Sequence, residues 1–246
     1  MDTTQYIALS NQMALRRRMD TIANNLANMN TIGFRREQLM FQEYLTEMDD
    51  VAMDPMAEVS FVQDYGMSRD LTQGEFITTG NPLDAAISGD GFFTLEDPAT
   101  GERRYSRNGG FKIGVDGVLT NNAGARVLDT SGAPITIAQD ATDVTITSEG
   151  SISASGELIA RLDIVTFPNQ NAMKKVGDGM YSADEDPIPA QDYSLLAGTL
   201  EGSNVNGITE ITDMIEVMRA YQSTGKFLEN YEQMRSQSIE KLARVQ

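Results

Sequence analysis

An apolar residue returns every seventh position near the start of this 246-residue chain: Ala8, Leu15, Ile22 and Met29. Met19 and Leu26 fill the intermediate places, so from Leu15 onward the spacing alternates 4 and 3. A repeat of this kind makes a narrow apolar stripe on a helix, a coiled-coil seam that needs a partner. Gln12 alone interrupts it. The far end of the chain keeps the same rhythm through Ile208, Ile211, Ile215, Met218 and Tyr221, continued less regularly by Leu228, Tyr231, Met234 and Leu242. The two ends are therefore expected to pack on each other, with everything between them as one long insertion. A local helical hairpin closing an ordinary globular domain is the alternative that periodicity leaves open.

Glycine and proline mark the same boundaries. Eighteen of the 21 glycines fall in residues 66–202, and none of the seven prolines lies in either terminal segment. Charge follows suit. The net charge of −17 is zero over residues 1–48, −1 over 205–246 and −16 over 49–204. An acidic surface argues against a nucleic-acid partner. No apolar run approaches the length of a membrane span, and Arg16, Arg17 and Arg18 sit inside the helical pattern, unlike a secretory signal peptide.

Residues 71–200 read as antiparallel β. Short alternating runs such as GFFTL (91–95), GFKIG (110–114) and ELIARLDIVTF (157–167) are separated by turn pairs: Asn108-Gly109, Asp116-Gly117, Ser131-Gly132 and Ser155-Gly156. Strands this short make a sandwich or an irregular barrel. Asn206 is a good cap for a second helix, Asn30 or Gly33 can end the first, and Gly225 can mark a bend. Residues 31–70 are either extended or a short helix. Met40, Met48, Met53, Met56 and Met67 crowd that segment, and methionine suits adaptable contacts. The expected fold is thus α+β: coiled-coil-like paired terminal helices with an antiparallel β domain inserted between them. Its parts are an N-terminal helix at 1–30, a connecting segment at 31–70, the β domain at 71–200 and a C-terminal helix at 201–246.

Catalytic and cofactor chemistry has little to stand on. Histidine, cysteine and tryptophan are all absent. That removes the commonest general base and metal ligand together with any thiolate site. GDGFF (89–93) lacks the lysine and glycine spacing of a phosphate loop. No catalytic residue, cofactor or metal is expected. The informative polar residues are Asn24, Asn25 and Asn28, beside Ile22, Leu26 and Met29. Their amides either fix register between packed helices or belong to a fraying helix end. The candidate assembly interface is therefore Leu15, Met19, Ile22, Asn24, Asn25, Leu26, Asn28 and Met29 on one side, with Ile208, Ile211, Ile215, Met218 and Tyr221 on the other.

Three stretches resemble a known family. ANNLANMNTIGFRRE (23–37) resembles the N-terminal motif of bacterial flagellar rod and hook proteins, and LEGSNVNGITEITDMIEVMRAYQSTGKF (200–227) their C-terminal motif. NPLDAAISGDGFF (81–93) and YSRNGGFKIGVDGVLTNNAGARVLD (105–129) are similar to the β portion shared by the hook and outer rod members. Residues 7–25 are most similar to the proximal rod member, with the distal rod member next. Ile32 stands where proline is frequent, and Met29 where a smaller residue is usual. The resemblance implies a non-enzymatic axial subunit of the basal-body rod. Its partners would be copies of itself, other rod proteins and the flagellar type III export apparatus. It would act in the periplasmic space, exported without a cleaved signal peptide, with paired helices lining a hollow tube. A distal rod or hook subunit is one alternative. A secreted acidic β binding module is another, its site an exposed cluster of Phe92, Phe93, Tyr105 and Phe111.

Overall fold

The computed structural model describes residues 3–47, 58–138, 141 and 143–243. The chain divides into two compact units. A helical unit gathers Met1–Ala27, Glu37–Arg69 and Asn206–Gln246; a β unit gathers Asn28–Arg36 and Asp70–Val205. The segment read as a single connection, 31–70, is thus shared between the two.

The helical unit is built from α1 (Thr3–Ala27), α2 (Gly207–Ala243) and an antiparallel hairpin of β1 (Glu37–Glu47) and β2 (Glu58–Arg69). Asn206 caps α2 as its sequence suggests: its Oδ1 accepts the N–H groups of Ile208 at 3.0 Å and Thr209 at 3.2 Å. α2 runs unbroken through Gly225, so the glycine does not interrupt the helix. A Cβ there would lie 3.7 Å from Gln12 Nε2 on α1, an ordinary contact distance, so the two helices meet at this point without requiring a glycine. α1 stops at Ala27, three residues short of the expected end. The Thr31 N–H donates to the Asn28 carbonyl (3.0 Å) and its hydroxyl to Asn28 Oδ1 (3.2 Å), which turns the chain away. The stretch whose conformation the sequence left open is the hairpin. Its register shifts between Met40 and Phe41, across from Gly66 at φ 140°. Met40 and Met67 are exposed; Met48, Met53 and Met56 lie outside the described residues.

In the β unit the strands do not form two matched sheets. One nine-stranded antiparallel sheet is joined by a three-stranded sheet and two-stranded pairs. The strand Phe92–Glu96 sits within the large sheet and is covered on both faces. Phe93 and Leu95 enter the larger cluster with Ile87, Phe111 and Leu195, while Phe92 enters a smaller one with Tyr105, Phe167 and Tyr181. That division follows the two-residue period of a strand. Rings meet edge to face, Tyr105 on Phe167 at 4.7 Å and Phe93 on Phe111 at 5.1 Å. Phe92, Phe93, Tyr105 and Phe111 are all buried, so the aromatic surface of the binding-module reading does not exist.

The turn pairs divide by role. Ser155 and Gly156, both at positive φ (52° and 82°), join Ser151–Ala154 to Glu157–Arg161. Asn108-Gly109 is different: a Cβ on Gly109 would fall 1.7 Å from the Ala85 carbonyl oxygen, so glycine is there to let two backbones touch. The run ELIARLDIVTF, read as one strand, is two: Glu157–Arg161 and Ile164–Thr166 lie in different sheets.

Candidate assembly interface

Within the helical unit α1 and α2 run antiparallel. Asn25 meets Glu210, Gln12 meets Gly225, and Ile7, Ala8 and Asn11 share a groove with Ser223, Thr224 and Phe227. On α1 the heptad positions within the helix turn inward. Ala8 and Ile22 are buried, and Leu15, Met19 and Leu26 are half-buried. Met29 falls beyond the helix and is exposed.

On α2 the expected stripe is corrected as a mate for α1. Ile208 is 80% exposed, and Ile211, Ile215 and Met218 are exposed as well; of the five residues chosen, only Tyr221 is turned partly inward. The inward row is Glu210, Met214, Val217, Tyr221, Thr224, Leu228 and Tyr231. Its spacing is an uninterrupted 4-3-4-3-4-3. The isoleucine stripe, continued at the same rhythm, runs into Gln222 and Gly225. Length of repeat, not hydrophobicity, was the signal that separated them.

The asparagines part company. Asn24 is exposed and Asn28 lies in the turn. Asn25 is 1% exposed and acts as a piece of backbone: its Nδ2 donates to the Glu37 carbonyl at 2.8 Å, and its Oδ1 accepts the Glu37 N–H at 3.0 Å. Nδ2 also reaches Glu210 Oε2 at 3.2 Å. One buried amide therefore ties α1 to the start of β1 and to the head of α2. A satisfied buried polar group of this kind fixes register.

The β unit holds a group of residues that sequence reading did not single out. Arg35, Arg107 and Glu201 are 4%, 1% and 2% exposed. Glu201 Oε1 lies 3.2 Å from Arg35 and its Oε2 3.4 Å from Arg107. Arg107 also donates to the carbonyls of Ile87 and Gly89, and its guanidinium stands 5.5 Å over the Phe92 ring. Arg35 donates to the Leu71 carbonyl. Burial pulls the Arg107 guanidinium down to about 10, while the Glu201 carboxylate acts to keep it charged. The surrounding backbone is laced together: the Gly33 N–H donates to the Glu201 carbonyl (2.8 Å) and the Arg36 N–H to Asn204 Oδ1 (2.7 Å). Gly33, at φ 69°, would place a Cβ 2.8 Å from the Asn108 nitrogen. Each of the three charged residues lies in one of the motifs GFRRE, YSRNGG and LEGSNV. The motifs thus converge on one buried carboxylate between two guanidiniums.

No helix among the described residues is long and apolar enough to cross a membrane. Three family models match the chain. One described as "Flagella basal body rod protein" covers residues 6–35, one described as "Flagellar hook protein FlgE/F/G D1 domain" covers 86–154, and one described as "Flagellar basal body rod FlgEFG protein C-terminal" covers 196–241. Among curated proteins, the flagellar basal-body rod protein FlgF of Caulobacter vibrioides is 39% identical over 249 residues, spanning 100% of both chains. FlgF of Rhizobium meliloti is 32% identical over 98% of both, and FlgG of Agrobacterium fabrum 33% identical over 94% of this chain and 95% of that one. With terminal helices flanking an antiparallel β unit, the three motifs in order and a full-length relative at this identity, the chain belongs to the flagellar basal-body rod protein family, as a FlgF-like structural rod subunit.

Proposed function

We propose that this chain is a non-enzymatic axial subunit of the proximal rod. It is delivered by the flagellar export apparatus with its N-terminal segment intact and assembles in the periplasm with copies of itself and with other rod proteins. The terminal helices carry the assembly. Leu15, Met19, Ile22, Asn25, Leu26 and Tyr221 hold the pair together, and Ile208, Ile211, Ile215 and Met218 face the neighbours, with Asn24, Asn28 and Met29 as further candidate contacts. One observation carries this reading: α2 bears an apolar row at helical spacing that its own chain leaves exposed. Electron microscopy of the purified chain at high concentration tests it. Rods or rings are expected from the wild type and discrete particles from Ile215→Asp, while rods from both would remove the stripe from the interface. Mass spectrometry of the assembled protein checks the intact N-terminus, and loss of twenty or more residues would contradict it.

A further inference from the structure

The helical unit has two outward apolar rows. On α1 they are Tyr6, Leu9 and Met13, 52%, 48% and 56% exposed; on α2 they are Ile208, Ile211, Ile215 and Met218. The antiparallel pairing sets Asn25 by Glu210 and Gln12 by Gly225. The α1 row therefore lies at one end of the pair and the α2 row at the other, and they cannot meet within one chain.

We infer that the α1 row of one copy docks on the α2 row of the next. The inference rests on the rod-subunit reading and adds to it which surface meets which, and in what register. Spacing supports it. Tyr6, Leu9, Met13 and Arg16 are separated by 3, 4 and 3 residues; Met218, Ile215, Ile211 and Ile208, taken in the opposite direction, are separated by 3, 4 and 3. Antiparallel docking then sets Tyr6 on Met218, Leu9 on Ile215 and Met13 on Ile211, and brings Arg16 beside Ile208. Ridges of matched spacing interdigitate along their whole length.

Charge selects the same pairing. Residues 3–19 carry Arg16, Arg17 and Arg18 and no acid; residues 207–218 carry half-buried Asp213 and exposed Glu216, with Glu210 buried beside Asn25, and no base. Docking α1 on α1 would oppose arginines, and α2 on α2 would oppose carboxylates, so the attractive contact joins unlike surfaces. Paired positions sum to about 236 within a chain and to 224 between copies. The offset of about 12 residues is an axial step of about 18 Å. A contact between two different patches is heterologous, so it propagates from copy to copy.

The chain has no cysteine, so introduced thiols report directly. The full-length Leu9→Cys/Ile215→Cys chain, oxidised under conditions where the wild type assembles, should give a ladder of crosslinked multimers on a non-reducing gel. An equal mixture of the two single variants should give dimers only. Leu9→Cys/Ile208→Cys, seven residues out of register, should crosslink at least tenfold more slowly. Changing Arg16, Arg17 and Arg18 to Glu should weaken assembly, and adding Asp213→Lys and Glu216→Lys should restore part of it. Rods without the ladder, equal rates for the two cysteine pairs, or no rescue would overturn the docking while leaving the rod reading standing. A wild-type chain that stays monomeric at high concentration would overturn both.

Discussion

The two units solve the problem of burial in opposite ways. The β unit buries two side-chain clusters, with Phe93, Leu95 and Phe111 in one and Phe92, Tyr105, Phe167 and Tyr181 in the other, and even closes over two arginines and a glutamate. The helical unit, among its described residues, buries only Ala8, Ile22 and Val217 of its apolar side chains, and leaves seven others in two outward rows. A unit whose core is complete gains little from neighbours. A unit whose seam is narrow and whose outer rows are bare depends on packing from outside. The difference separates a part of the chain with closed clusters from a part with bare outward rows.

The largest expected effect tests where the self-sufficient part ends. A fragment of residues 28–205 should melt cooperatively. A fragment of 71–200 lacks Arg35 and Glu201 and leaves the buried Arg107 charge without its paired carboxylate, so its midpoint should lie at least about 10 °C lower, on the ~3–5 kcal/mol scale of a broken buried pair. Equal midpoints would place the boundary at the strands and not at the charge cluster. In the full chain Glu201→Gln should destabilise the β unit by about 3–5 kcal/mol in urea titration, against a change within about 0.5 kcal/mol for Glu157→Gln at an exposed strand. A matched pair sharpens the helical side. Ile22→Asp should cost several kcal/mol of helix packing, because its carboxylate enters the seam. Ile215→Asp should move the free chain's stability by no more than about 0.5 kcal/mol and still abolish rods. Asn25→Ala should lose about 1–3 kcal/mol, since the Glu37 backbone groups stay buried without their partner.

The smallest effect is a pH dependence confined to the β unit. Hydrogen bonds from Thr72 hold the Asp70 carboxyl, and one from Ser131 the Asp129 carboxyl, below the ordinary value of 3.8. A depressed folded-state pKa means that the unfolded chain takes up the proton first. The contribution is full above 3.8 and is lost as pH falls through the folded values. Asp129→Asn should therefore lower the β-unit melt slightly at neutral pH, where the contribution is full, and converge on the wild type as pH falls through the folded value.

The sequence carried the heptads of α1, the Asn206 cap, the Ser155-Gly156 turn and the paired-helix plan, because each is a local rule acting over a few residues. It pointed to the wrong row of α2 because the isoleucines are more apolar than the Glu210-to-Tyr231 row, although that row alone keeps its rhythm. β1 was not readable: Glu43, Tyr44, Leu45 and Thr46 alternate too weakly to separate strand from helix. The charge cluster was out of reach for another reason. Arg35 and Glu201 are 166 positions apart, and nothing in an arginine's immediate neighbours says that a carboxylate will cover it. Asn25 lay between these cases, a polar residue in the right place whose partners only the tertiary structure supplies.

The position of Glu201 also sets a timetable. A chain that emerges N-terminus first exposes Arg35 early and Arg107 midway, and both wait for the carboxylate they share in the last strand of the β unit, Thr199–Glu201. The strand before it, Tyr193–Ala197, brings Leu195 into the main cluster. Until those residues arrive, the half-made unit carries two guanidiniums that resist burial and a core with its last side chain missing. Closure therefore falls near the end of emergence, only a few residues before α2 begins at Gly207. α2, with its exposed apolar row, then appears after a β unit that has just become able to shut.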